Sequence, residues 1–380
     1  MAEKMTSVNP KMIIWARENS GDGALGEAEE EFGKEKLAKW EAGDDSPTYA
    51  ELRKISKFYG KPLAVFFFPE PPTLDNLKAQ CRTLPEDARK IFNRNITKLF
   101  DLTRVMQLNF FELNDGKNPA ETKFTGIVFD TANIKVAAKQ LRQILNTSIA
   151  EQKRLPRNET AFAIWRERLN AVGIYVFKQA FKDDSVSGFC LYDDEFPVIC
   201  VNNSLAHSRQ IFTLFHEIFH LMLKISGVDL IKKYDVDVER ECNKFAGEFL
   251  VPSDDFISVY SNKQITTNTV ETWANLYRVS REVIIYRLYE AGVITYDELQ
   301  EKYEEYKEDY LKFTGNADKK KKDSGDYYAT QVIYKGKDYV TLAYREYYAN
   351  KITLEQLSKY MEMKIPNLRK LASKKGWGEI

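Results

Sequence analysis

Apolar positions recur along most of this chain at the three-to-four-residue interval of amphipathic helices, and a short central stretch departs from it. Near the start, Asn9-Pro10 supplies a cap and a helix-initiating proline, and the pattern of Met12 to Arg17 runs on to Gly21. Short helical patterns follow through Phe32 and from Lys34 to Glu41, where Gly43 breaks the run. Thr48 and Glu51 have the spacing of a capping box, and that helix continues to Gly60. Residues 74–170 also read as helices: a long one led by Pro85 and reaching Leu113, then 131–145 and 159–172. The stretches 173–177, 186–192 and 197–201 are instead rich in β-branched and aromatic residues, punctuated by Asp and Gly, and predict three short strands. After them 208–223 is apolar almost all round, which predicts a buried helix. A one-sided helix at 238–250 is stopped by Pro252, and a pattern of helix-turn-helix appearance, better read as a compact helical hairpin, follows at 270–288, with Ser280 capping its second helix. The run 315–326, with four consecutive lysines, reads as a linker, and 352–371 has a second helix-turn-helix pattern.

The predicted fold class is therefore α+β and mostly helical. An all-α unit spans 1–72, a helical connecting region 73–170, a mixed domain with a small sheet and a helical hairpin 171–314, a linker 315–326, and a helical C-terminal segment 327–380.

The buried helix carries the candidate chemistry. Two of the three histidines lie in His216-Glu217-Ile218-Phe219-His220, an H-E-x-x-H run. Positions i and i+4 share a helix face, so both imidazoles can grip one metal ion while Glu217 activates a water. Burying a neutral polar group without a partner costs roughly 2–7 kcal/mol, so two His and a Glu in such a helix need a reason. The bland reading, two core histidines satisfied by neighbours, fits poorly with so few histidines in the chain. His207, nine residues before His216 on the lead-in to the same helix, is a poor third ligand. A carboxylate from the next helix is the better candidate. At about 100° per residue, Val238, Cys242, Phe245, Ala246, Phe249 and Leu250 form one apolar stripe. Glu239 falls at its margin, while Glu241 and Glu248 lie on the opposite side; Asn243, one turn on, can orient a ligand. The set predicts one Zn²⁺ per chain held by His216, His220 and Glu239, with Glu217 as general base. Hydrolysis through a tetrahedral oxyanion needs a further donor, for which Tyr286, Arg287, His207 and Tyr234 are candidates.

The run RQIFTLFHEIFHLML followed by ERECNKFAGEFLVP resembles the ImmA/IrrE family of metallo-endopeptidases. In that family a buried F-T-x-x-H-E-x-x-H helix precedes E-x-x-A-N-x-F-A-x-x-L-L-x-P. The resemblance gives His216, His220 and Glu239 the zinc and Glu217 the proton transfer. Cys242 replaces the usual alanine, and Phe219 stands where many members have glycine, which would narrow the space beside the metal. It further implies an edge strand that holds a peptide across the zinc, and a substrate of regulatory type: a repressor, toxin or antitoxin encoded nearby. A second reading from another class is a regulator or antitoxin-type binding protein that uses the same fold as a scaffold.

The segment from Lys36 to Pro72 resembles the Xre-type helix-turn-helix domain often fused ahead of this peptidase. By that resemblance the helix from Lys34 to Glu41 faces DNA, with Lys34, Lys36 and Lys39 as contacts. Charge counts against it, because residues 1–60 carry nine Lys/Arg against twelve Asp/Glu, a net of −3. The C-terminal pattern is locally basic, with Lys364, Arg369, Lys370, Lys374 and Lys375, and suits nucleic acid or an acidic partner.

The whole chain has zero formal net charge, so nothing drives it globally toward nucleic acid. Cys81, Cys190, Cys200 and Cys242 are widely spaced and read as small core residues in a reducing compartment. No N-terminal apolar leader is evident, and the longest apolar run, 62–69, is too short to span a bilayer. The expected location is cytoplasmic, with no membrane partner.

Overall fold

The structure, a computed structural model, describes residues 4–18, 20, 24–61, 63–70, 94–183, 185–226, 236–261, 263–317 and 326–377. It is α+β and mostly helical, with two compact units: one within residues 1–106, the other within 107–227 and 235–380.

In the first unit, α1 (Pro10–Glu18), α2 (Ala24–Phe32), α3 (Lys34–Ala42) and α4 (Tyr49–Tyr59) precede a 3₁₀ turn at Leu63–Phe67. Met12, Ile13, Leu37, Trp40, Leu52, Ile55 and Phe66 form its core. The expected capping box is present: Thr48 accepts from the Glu51 amide, and Glu51 accepts from the Thr48 amide at 2.8 Å. Between α2 and α3 stands a single residue, Gly33, at φ 85°, a conformation that glycine adopts at little cost. A longer helix, α5 (Arg94–Leu113), leads into the second unit; Pro85, its expected start, lies outside the described residues.

The second unit continues with α6 (Ile134–Ile144), α7 (Ile149–Lys153) and α8 (Asn158–Ala171), then β1 (Tyr175–Gln179), β2 (Gly188–Leu191) and β3 (Val198–Asn202). The sheet order is β1-β3-β2, with β1 parallel to β3 (Tyr175 opposite Val198) and β2 antiparallel to it (Gly188 opposite Val201). All three strands fall where the sequence placed them, within two residues. Alternation turns Val176, Cys190, Ile199 and Val201 into the core shared with α8 and the following helices. On the other face Phe110 of α5 stacks on Tyr175 at 3.9 Å.

Next come α9 (His207–Met222), α10 (Val236–Leu250), α11 (Ser253–Tyr260), α12 (Thr267–Tyr277), α13 (Arg281–Glu290) and α14 (Tyr296–Ala317). Ser280 occupies the N-cap of α13, but its side chain makes no capping bond. The helix α14 enters the expected linker as far as Ala317; 318–325 lie outside the described residues. The C-terminal segment is helical, as expected: α15 (Tyr327–Lys335), α16 (Lys337–Tyr348), α17 (Leu354–Met361) and α18 (Ile365–Lys375). It is fastened to the sheet. Arg166 of α8 donates to the carbonyls of Ile333 (2.6 Å) and Tyr334 (3.2 Å) at the end of α15. Tyr339 of α16 sets its ring against Phe110 and Phe177, and its hydroxyl accepts from Asn109 and donates to the Tyr360 carbonyl, both at 2.8 Å. Among the described residues no helix is long and apolar enough to cross a membrane.

Candidate metal centre

The helix α9 is buried along most of its length, packed against α8, α10, β2 and β3. Its aromatic residues lock it in place: Phe215 stacks on Phe249 of α10 at 4.0 Å and meets Trp165 of α8 edge-on at 5.1 Å. Phe219 stacks on Phe245 at 4.8 Å, so its ring is a core contact rather than a bare obstruction beside His216 and His220. The sheet comes close as well. A Cβ at Gly188 would meet the Thr213 methyl at 2.5 Å, so only glycine lets β2 lie this near the turn before His216.

Three side chains converge where α9 meets α10. His216 Nε2 lies 3.1 Å from Glu239 Oε2, His220 Nε2 lies 3.4 Å from Glu239 Oε1, and the two Nε2 atoms are 3.2 Å apart. The His220 side chain is 1% exposed, whereas His216 at 15% and Glu239 at 25% leave the cluster open on one side. His216 Nδ1 donates to Asn243 Oδ1 at 3.0 Å, which fixes the tautomer and leaves the Nε2 lone pair directed at the cluster. Asn243, one turn from Glu239, thus hydrogen-bonds the His216 ring, as an orienting partner would. Cys242, read in sequence only as a small core residue, lies with Sγ 3.4 Å from His220 Nδ1. Its position three residues after Glu239 was the available signal.

Two imidazole nitrogens and a carboxylate brought this close call for a shared positive charge, a proton or a metal ion. A tetrahedral ion with bonds of about 2.0–2.1 Å separates its ligand atoms by about 3.3 Å, which the three observed spacings match. With protons alone the charges respond in the same sense. Burial acts to raise the Glu239 pKa, but hydrogen bonds from His216 and His220 outweigh it and hold the carboxyl far below its usual range. Burial likewise lowers the His216 pKa, and Glu239, Glu217 and Asn243 together bring it above its ordinary value. The side chains of His216, His220 and Cys242 also form a possible metal-holding group. Its sulfur, however, touches the nitrogen of His220 that faces away from Glu239, and burial followed by the nearby carboxylates pushes the thiol pKa up. The carboxylate is the better third donor.

Glu217 is buried beside His216, and its carboxylate has no hydrogen-bond partner among the described residues. The four oxyanion candidates separate clearly. Arg287 is fully engaged elsewhere: it donates to Glu248, to Glu290 at 2.5 Å, to Ser253 at 2.8 Å and to the Val251 carbonyl at 3.1 Å. Gly247 makes room for it, since a Cβ there would meet Arg287 Cδ at 3.1 Å. Glu248, on the opposite side of α10 from Glu239 as expected, is thereby buried in an ion pair. His207 opens α9, nine residues before His216, so about 13 Å separates them along the axis. Burial and then Lys178 lower its pKa. Lys178 itself is buried on β1 with its ammonium 3.8 Å from the Phe162 ring centre, and burial, then Arg166, lowers its pKa to about 8. Tyr234 lies outside the described residues. Tyr286 is half-buried, and its hydroxyl has no partner among the described residues.

A buried H-E-x-x-H helix beside a small sheet, with the next helix turning a carboxylate onto both histidines, is the arrangement of a metallopeptidase-like domain. The family comparison agrees: residues 169–289, which in this chain hold the sheet, α9, α10 and the α12–α13 pair, match the family described as peptidase M78, IrrE N-terminal-like domain. No curated protein matches the chain. Among solved structures, a Mycobacterium tuberculosis transcriptional regulator is similar at 16% identity, over 48% of this chain and 50% of that one, with a TM-score of 0.28. The chain thus spans about half the length of that protein.

Proposed function

We propose that the domain at 169–289 is a zinc-dependent endopeptidase of narrow specificity, with His216, His220 and Glu239 as metal ligands and Glu217 as general base. The observation that carries this reading is the convergence of two Nε2 atoms and one carboxylate within 3.1–3.4 Å beside a buried glutamate, Glu217, that has no hydrogen-bond partner among the described residues. Bound there, Zn²⁺ supplies Lewis acidity to a water and to the scissile carbonyl. Glu217 takes the proton of the attacking water and passes it to the leaving amine. Asn243 holds the His216 ring in register, and Tyr286 is the candidate whose hydroxyl has no partner among the described residues and can serve the oxyanion.

The edge strand β2 is suited to hold the substrate. Ser187 accepts from the Asn202 amide at 2.9 Å, so the register turns the backbone groups of Gly188 away from β3, on the side where β2 is the outermost strand among the described residues. A peptide pairing with that edge lies extended alongside α9, within a turn of His216. The substrate class is a regulatory protein of repressor, toxin or antitoxin type, for which the encoded neighbours of this chain are the first candidates, and the site of action is the cytoplasm. The experiment is incubation of the zinc-loaded chain with each neighbour's product, beside Glu217→Gln. Cleavage at one bond, lost by at least about 100-fold in the variant with zinc content unchanged, supports the peptidase. Stable binding with no cleavage by either protein supports the scaffold reading instead.

A further inference from the structure

Two regions of this chain were candidates for contact with DNA, the helices α2 and α3 and the helices α17 and α18, and they offer opposite surfaces. We propose that α17 and α18, not α2 and α3, form a DNA-binding helix-turn-helix whose second helix, α18, enters the major groove of duplex DNA.

The turn is the first argument. Such motifs join their helices by three or four residues. Between α17 and α18 stand Glu362, Met363 and Lys364, with Glu362 in the left-handed region at φ 50° and its amide bonded back to Lys359 and Ser358. The Ser358 hydroxyl donates to the Met363 carbonyl at 2.7 Å and closes the turn. Between α2 and α3 there is only Gly33.

Packing is the second. Leu357, Met361, Met363, Leu368, Leu371 and Ala372 are buried, and the Tyr344 hydroxyl of α16 donates to the Leu368 carbonyl at 2.9 Å. The pair is therefore held rigidly, with one side of α18 turned in and the other out. Pro366, Arg369, Lys370 and Ser373 are exposed at i, i+3, i+4 and i+7, a single face.

Charge is the third. Every charged side chain on α18 is basic, and Lys364 precedes it. Lys374 is engaged by Asp326 at 2.7 Å, but Lys364, Arg369, Lys370 and Lys375 have no side-chain partner among the described residues. In a chain of zero net charge, residues 327–380 carry ten Lys/Arg against five Asp/Glu, a net of +5. On α3, by contrast, Lys36 is paired with Glu51 and lies over the Trp40 ring, and Lys34 is 3.9 Å from Glu29. A helix about 10–12 Å across fits a groove about 12 Å wide. No large hydrophobic side chain of α18 is exposed to anchor a protein partner, which favours a phosphate-lined ligand over an acidic protein.

The test is fluorescence anisotropy of the full chain with a labelled random-sequence duplex, across about 50 to 200 mM salt. Four free cations predict a slope of log K against log salt near −4, at about −0.9 per neutralised phosphate. Arg369→Ala with Lys370→Ala, both at exposed positions and expected to leave the melting temperature unchanged, reduces that slope by about 2 and the affinity at least tenfold. Replacing Lys34, Lys36 and Lys39 by Ala changes neither. Arg369→Lys keeps the slope but weakens any preference selected from a randomised duplex library, because only Arg grips guanine with two bonds. The proposal is overturned if the duplex does not bind at the lowest salt or if the α18 double variant binds like the parent. It is equally overturned if polyglutamate competes as well as duplex, which would assign this face to an acidic protein.

Discussion

Glu239 and Glu248 lie nine residues apart on opposite sides of α10, both removed from bulk water to different degrees, and they do opposite work. Around Glu248 the charges close on themselves: Arg287 answers Glu248 and Glu290, while Ser253 and the Val251 carbonyl take the remaining donors. Around Glu239 they do not close, because its two neighbours are imidazoles whose Nε2 atoms crowd the same point and must share a proton or a cation with it. A buried carboxylate is thus structural when its partner brings donors in matching number, and a candidate receptor site when its partners are titratable imidazoles. The family match covers both residues, so it does not by itself tell them apart; the partner atoms do.

The largest expected effect comes from the closed cluster. Glu248→Ala leaves Arg287 buried without its main counter-charge and should cost about 3–5 kcal/mol in denaturant unfolding, with zinc stoichiometry unchanged in the folded fraction. If Glu248→Ala instead lost zinc while keeping its stability, the roles of the two carboxylates would have to be exchanged. The open cluster should show its effect only with metal. Zinc at about 1,000 times its dissociation constant should stabilise the parent by about 4 kcal/mol, and a chelator should remove that gain. Glu239→Ala should melt like the metal-free parent and show no zinc shift; a full shift would exclude Glu239 as a ligand.

Lys178 tests a third situation, a buried cation with an aromatic face and no ion pair within contact distance among the described residues, Glu159 acting on it only at longer range. Its pKa near 8, against an ordinary 10.5, means that between those values the unfolded chain binds more protons, so stability rises with pH across that window. Lys178→Met should therefore be more stable than the parent by about 3 kcal/mol below pH 8, with the difference gone above about pH 10.5. Paired melts across that range check it, and a pH-independent difference would mean that the ammonium is solvated. The smallest effect is expected at Asn243→Ala, which should weaken zinc binding about 10- to 100-fold by competition assay without abolishing it.

Much of the centre was legible in the sequence because helical geometry is periodic. His216 and His220 share a face by spacing alone, and Glu239 and Asn243 fall on the margin of a stripe that any helical projection displays. The strands were legible for the same reason, at period two. What escaped depended on contacts between elements distant in sequence. Arg287 looked like a free cation because nothing local reveals that Gly247, forty residues earlier, leaves room for it against Glu248. His207 looked close to His216 in number, but a continuous helix turns nine residues into a long axial distance. Ser280 had the right identity for a cap without the side-chain geometry of one. The short α7, with its Ser148–Glu151 capping box, went unread although its signal was local.

The clasp of Arg166 on the carbonyls of Ile333 and Tyr334, with Tyr339 wedged against Phe110 and Phe177, bears on how this protein can be cut for study. The stretch that matches a family stops at 289, but the material that shields the outer side of β1 comes from beyond 326. Inherited module and mechanical module do not share a border. An expression fragment trimmed to the former would expose an aromatic sheet surface and strand an arginine without its acceptors, whereas one ending after Trp377 keeps both covered.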